Sequence, residues 1–229
     1  MGGYFGYLLV MIVGALISGA AALWVRSSYS KYSKLMSNSG MTGAQVARTI
    51  LDRNNLSNVR VEPVAGQLTD HYDPRSKVVR LSEDNFRKSS IAAVSVAAHE
   101  CGHAIQDGTG YVPMKLRAGL FPIVNFAGQL WFPLFFMAII FGVGTAAGAL
   151  FIKLAVVAFA GILAFHVVTL PVEINASTRA YALLTRYGML SRTEADGTKR
   201  VLTAAAFTYI AAALTSLLTL IYLLMVSRQ

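Results

Sequence analysis

From Leu120 to Leu170 the chain runs for fifty-one residues with one charged side chain, Lys153. A transmembrane helix needs about 20 predominantly apolar residues. This stretch is therefore long enough for two crossings, and Gly142-Val143-Gly144-Thr145 near its middle supplies a tight turn between them. Tyr4 to Val25 and Val201 to Met225 are two further uncharged runs of spanning length. Four apolar segments in 229 residues leave little room for a soluble core, and they dictate a mainly α, polytopic membrane protein with about four transmembrane helices. The overall composition agrees: 55% of residues are hydrophobic and only 14% are charged, well below the quarter typical of soluble domains.

The distribution of Lys and Arg sets the expected topology. Residues 26–117 carry thirteen basic residues and residues 171–200 carry five, whereas the segments expected on the other side carry only Lys153 and Arg228. The positive-inside rule then puts both basic segments in the cytoplasm and both termini outside. A cleaved signal peptide is the competing reading of the first run. It would want positive charge before the run, but Met1-Gly2-Gly3 has none, and Arg26, Lys31 and Lys34 follow it. The net charge of +9 does not imply a nucleic-acid partner, because the basic residues are interspersed with acids and flank the apolar spans.

The expected organisation is an N-terminal transmembrane anchor over 1–25, a cytoplasmic segment over 26–117, two transmembrane helices over 118–170, a cytoplasmic helix over 171–200 and a C-terminal transmembrane helix over 201–229. The expected location is the plasma membrane, multi-pass, with the lipid bilayer as a partner. Ala204, Ala205, Ala206, Ala211, Ala212 and Ala213 allow close helix packing in the last span. That packing serves this chain alone, a homo-oligomer or a membrane-protein partner equally well.

Within the first basic segment, Thr42 and Gln45 have capping-box spacing and predict a helix through about Arg53. Val59 to Val64 and Lys77 to Ser82 are β-prone and predict a small sheet or hairpin with a turn near Asp73-Pro74. A second helix, capped by Ser89 or Ser90 and ended by Asp107-Gly108, contains His99-Glu100-Cys101-Gly102-His103. After it a loop is expected from Gly108 to Arg117.

On a helix, His99 and His103 project from one face and can reach one divalent ion, and Glu100 beside them can act as general base toward a water. The pattern points to metal-assisted hydrolysis. Cys101, the single cysteine, excludes an intrachain disulfide and reads as a small buried thiol. Zn²⁺ in such a site takes a third protein ligand and keeps a position open. The remaining candidates are His71, His166, Asp70, Asp73, Asp107, Glu173, Glu194 and Asp196. Glu173 is favoured, because Leu170-Pro171-Val172-Glu173 follows directly from a span and the charge count puts it on the same side as His99 and His103. The competing role for Glu173 is to stabilise a helix N-terminus. His71 is a candidate oxyanion stabiliser, as is Tyr72. His166 reads as a packing residue inside the membrane, and Arg179 as a pairing or charge-stabilising group.

These residues together resemble the YugP-like family of neutral zinc metallopeptidases (zinc peptidase type 2), which are bacterial membrane proteins. The resemblance rests on the N-terminal span, Leu68-Thr69-Asp70-His71-Tyr72-Asp73-Pro74, Ala98-His99-Glu100-Cys101-Gly102-His103-Ala104-Ile105-Gln106 and Leu170-Pro171-Val172-Glu173-Ile174-Asn175-Ala176-Ser177. More distantly the chain is similar to the HtpX-type and prenyl-protein-processing membrane proteases, where a His-Glu-x-x-His helix and a later glutamate bind zinc. Those families usually place an aspartate where this chain has Ser177. The resemblance implies a small α+β, zincin-like cytoplasmic portion and a membrane-anchored zinc endopeptidase acting on a protein or peptide substrate. The alternative is a non-catalytic, zinc-stabilised membrane scaffold or regulator of a partner protease. An intramembrane protease is disfavoured, because Arg87, Lys88 and Asp107 bound the motif helix too closely for it to be a span.

Overall fold

The structure, a computed structural model, describes residues 2–228, with side chains from residue 6. Met1 and Gln229, the outermost residues of the first and last expected segments, lie outside the described residues. The elements run α1 (Gly2–Tyr32), α2 (Gly43–Arg53), β1 (Arg60–Val64), β2 (His71–Asp73), β3 (Val78–Ser82), α3 (Glu83–Arg87), α4 (Ile91–Gly108), α5 (Val112–Phe141), α6 (Ala146–Arg186) and α7 (Ala195–Val226). Four helices are long and apolar enough to cross a membrane: Gly6–Tyr32, Val112–Phe141, Ala146–Arg186 and Ala195–Val226. The fold is mainly α, with a small α+β portion.

The chain divides into two compact units. The first comprises Met1–Ala22, Lys115–Leu170 and Thr208–Gln229. Its core gathers Phe135, Ala138, Ile152, Ala155, Phe159 and Leu223. Tyr7, Phe135 and Tyr222 form a ring cluster with centroids 5.7–6.2 Å apart. Helices α1 and α7 approach closely at Gly14, where a Cβ would stand 2.7 Å from Thr215 Cγ2. The expected turn between α5 and α6 is made by residues 142–145: Gly142 takes φ +81°, and Thr145 Oγ1 accepts from the Gly148 N–H.

The second unit comprises Leu23–Met114 and Pro171–Phe207. Here the capping box expected from Thr42 and Gln45 forms in full, each side chain accepting from the other residue's backbone N–H. Ser90 caps α4, its Oγ accepting from Ala93 N–H at 3.1 Å. The strands form one mixed sheet of order β1-β3-β2, with β1 parallel and β2 antiparallel to β3. The two β-prone pieces therefore do not make a hairpin with each other. The chain passes through β2 first, and the hairpin joins β2 to β3 beyond Asp73-Pro74.

Two other boundaries differ from expectation. The loop after the motif helix is short, because α5 already starts at Val112, with Pro113 in its first turn where a missing N–H costs nothing. Lys115 and Arg117 are thus helical. Helix α6 continues through Pro171 for forty-one residues, so 171–186 extend the preceding helix and do not begin a new one.

Helix α4 is buried almost all round. Ala97, Ala98, Cys101, Ala104 and Ile105 share one core cluster with Val46, Ile50 and Leu51 of α2, Val79 and Leu81 of β3, and Ala180 and Leu184 of α6. A polar network joins the adjoining elements. Tyr29 Oη donates to Asn85 Oδ1 at 2.9 Å, and Asn85 Nδ2 donates to Asp70 Oδ2 at 3.0 Å. The Ser82 N–H donates to Asp70 Oδ1 at 2.7 Å. Asn85 is 1% and Tyr29 4% exposed, so truncating Asn85 takes the Oδ1 acceptor from a buried tyrosine hydroxyl. Asn85→Ala should cost about 1–3 kcal/mol and lower the melting temperature in detergent, more than Tyr29→Phe does. Equal melting temperatures for wild type and Asn85→Ala would contradict this account.

Candidate metal centre

The second unit brings His99 and His103 of α4 together with Glu173 of α6. One ligand atom from each lies within 4.8 Å of the others. His99 Nε2 is 3.3 Å and His103 Nε2 3.4 Å from Glu173 Oε2. The two rings stand edge to face, 88° apart with centroids at 4.8 Å, so their Nε2 atoms converge without stacking. All three side chains are withdrawn from solvent, at 13%, 10% and 2% exposure.

This convergence depends on how closely the helices approach. Gly102 lies one residue before His103, and a Cβ on it would stand 2.7 Å from the Ala176 carbonyl oxygen and 3.1 Å from Ala176 Cα. The backbones touch where any larger residue would hold them apart. The far sides of both rings are also held. His99 Nδ1 lies 3.2 Å from Ser177 Oγ, and His103 Nδ1 lies 3.0 Å from Gln106 Oε1, which leaves both Nε2 atoms on the side of Glu173. Ser177 thus supports the back of the His99 ring.

Electrostatically the site is short of positive charge. Burial raises the Glu100 pKa above its ordinary value; His99 and His103 work against the rise, and Asp70 and Glu173 add to it. At His103 burial disfavours the charged ring, but the hydrogen bond to Glu173 and the carboxylates of Glu100 and Glu173 outweigh it and raise the pKa. Burial likewise pushes Glu173 up, yet hydrogen bonds from His103 and His99 win and hold it below the usual carboxylate range. Two buried carboxylates beside two imidazoles make a setting that a divalent cation satisfies. The donor set of two His and one Glu suits zinc with a position left open.

Several of the other sequence candidates have separate partners. Asp107 accepts from Tyr72 Oη at 2.6 Å and pairs with Lys77. Tyr72 thereby commits its hydroxyl hydrogen and is not free to donate to an oxyanion. Asp73 holds the turn through Ser76 and Arg80, and Glu194 accepts from Asn38 N–H and Ser191. His166 is in the first unit, outside the group of three. His71 is exposed and also outside that group. Its Nδ1 lies 2.8 Å from the Thr69 carbonyl, an acceptor only, so Nδ1 carries the hydrogen and Nε2 can donate only from a protonated ring. Sequence reasoning missed Gly102 and Gln106. The available signal was position: both fall on the helical stripe of His99 and His103, three and seven residues after His99.

Fold and site together define a class: a polytopic helical protein with a buried His-His-Glu cluster suited to a hydrolytic metal. The chain belongs to the family described as "Putative neutral zinc metallopeptidase", which residues 7–228 match. It is 45% identical over 221 residues to "Putative membrane protease YugP" of Bacillus subtilis (strain 168), covering 96% of each chain. No solved structure matches it. The family supports a protease function and implies zinc as the metal.

Because the helix contact sets the donor spacing, Gly102→Ala should lower the zinc content of the purified protein without altering any donor. It should also cost about 1–3 kcal/mol of stability through overpacking. Elemental analysis and thermal melting in detergent measure both effects. An alanine variant that matches wild type in zinc and melting temperature would contradict the backbone contact.

Proposed function

We propose that this protein is a membrane-anchored zinc endopeptidase that hydrolyses peptide bonds at the cytoplasmic surface of the plasma membrane. The observation that carries the reading is the convergence of His99, His103 and Glu173 from two helices, with Glu100 adjacent in sequence to His99. Those three residues would hold Zn²⁺. Bound there, zinc supplies Lewis-acid chemistry, polarising a carbonyl and making water nucleophilic near neutral pH.

The chain's own part falls to Glu100. Glu100 is 7% exposed, and burial is the leading influence on its carboxylate, raising its pKa against the pull of His99 and His103. A carboxylate made more basic by burial takes the proton of the attacking water, and the resulting acid hands that proton to the leaving amine nitrogen. The basic residues of 26–117 and 171–200 support a cytoplasmic face for this chemistry.

The scaffold reading is less well supported. A structural zinc is closed by four protein ligands, whereas the group found among the described residues has three. Glu100→Gln separates the two roles. It should retain zinc and lose hydrolysis of fluorescein-labelled casein by at least about 10²-fold, the contribution expected of a positioned general base. Zinc retained with turnover undiminished would remove Glu100 as the base.

A further inference from the structure

A hydrogen-bonded chain runs from the back of His103 across to α6. His103 Nδ1 is 3.0 Å from Gln106 Oε1. Gln106 Nε2 donates to the Val172 carbonyl at 2.8 Å and to Asn175 Oδ1 at 3.0 Å, and Arg179 Nε donates to the same Asn175 oxygen at 2.7 Å. Gln106 is fully buried.

The two ends of this chain have fixed polarity. A backbone carbonyl only accepts, so the Val172 oxygen forces the NH₂ of Gln106 to face it. A guanidinium only donates, so Arg179 forces Asn175 to present its oxygen, which again demands the NH₂ of Gln106. Both constraints turn the oxygen of Gln106 toward His103. The Nδ1 of His103 must then carry a hydrogen, which in the neutral ring leaves the lone pair on Nε2, the nitrogen beside Glu173. His99 has no such constraint, because its partner Ser177 has a hydroxyl that serves as donor or acceptor.

We infer that Gln106 is a positioning residue for the metal: polarised by the Val172 carbonyl and by Asn175 with Arg179, it presets His103 as an Nε2 ligand. Resting on the zinc reading above, this makes one amide responsible both for orienting a ligand on α4 and for tying that helix to the third ligand's helix. It also gives Arg179 a part in orientation, in place of pairing with a carboxylate.

Two substitutions separate positioning from simple packing. Gln106→Met keeps the volume and removes both functions. Gln106→Glu keeps an oxygen acceptor toward His103 Nδ1–H, and a stronger one, but removes both N–H donors toward α6. The measurements are the zinc dissociation constant by chelator competition, the visible spectrum of the cobalt-substituted protein and the melting temperature of the metal-free protein. The expected result is that Gln106→Met binds zinc about 10–100-fold more weakly, as loss of a ligand-orienting partner does. Gln106→Glu should melt lower than wild type yet hold zinc as tightly and keep the wild-type cobalt spectrum. If both variants hold zinc like wild type, or both lose it in step with their loss of melting temperature, Gln106 only packs and the inference is overturned. A wild type that binds no zinc overturns the functional reading itself, which distinguishes that failure from this one.

Discussion

Everything at the site depends on the backbones of α4 and α6 meeting at Gly102 and Ala176. An α-helix repeats every 3.6 residues, so positions 0, 3, 4 and 7 of any stretch form one stripe. On α4 that stripe is His99, Gly102, His103 and Gln106; on α6 it is Glu173, Ala176, Ser177 and Ala180. The two stripes answer each other: the small residues make the contact, Glu173 lies beside both imidazoles, Ser177 supports His99, and Gln106 bonds back to α6. Ligand spacing and helix packing are thus one property of two short patterns.

The remaining faces of α4 explain why a helix with so little side-chain bulk can be rigid enough to hold a site. Ala97, Ala98, Cys101 and Ala104 pack against α2 and β3, and the sheet in turn is joined to α1 through Tyr29, Asn85, Asp70 and Ser82. Burying Glu100, His103 and Glu173 in such surroundings is costly, since desolvated charges repay their burial only when paired. The fold accepts that cost at this site and gives the polar atoms at the backs of the rings hydrogen-bond partners. Departures from core rules of this kind are expected where function resides.

Much of this could be read from the residues alone. Thr42 with Gln45 and Ser90 with Ala93 carry local hydrogen bonds, so the starts of α2 and α4 follow from chemistry within one turn. Glu173 could be singled out because it follows directly from an apolar span on the side where the basic residues gather; Asp73, Asp107 and Glu194 have other partners. The strand order was not legible, because alternation of apolar residues reveals a strand but not its neighbour, and β3 pairs with both. Nor were the ends of α5 and α6, since a helix leaving a bilayer need not change its periodicity at the surface and Pro171 is absorbed within it. Gly102 and Gln106 escaped notice for a tertiary reason. Their roles exist only against the backbone and the Val172 and Asn175 oxygens of a helix some seventy residues further along the chain.

The most direct test of the central claim is the X-ray absorption spectrum at the zinc edge of the protein purified in detergent. The account predicts about one zinc per chain with only nitrogen and oxygen neighbours at about 2.0–2.2 Å, and outer-shell scattering from two imidazoles. Protein without zinc, or a sulfur neighbour at about 2.3 Å from Cys101, would contradict it.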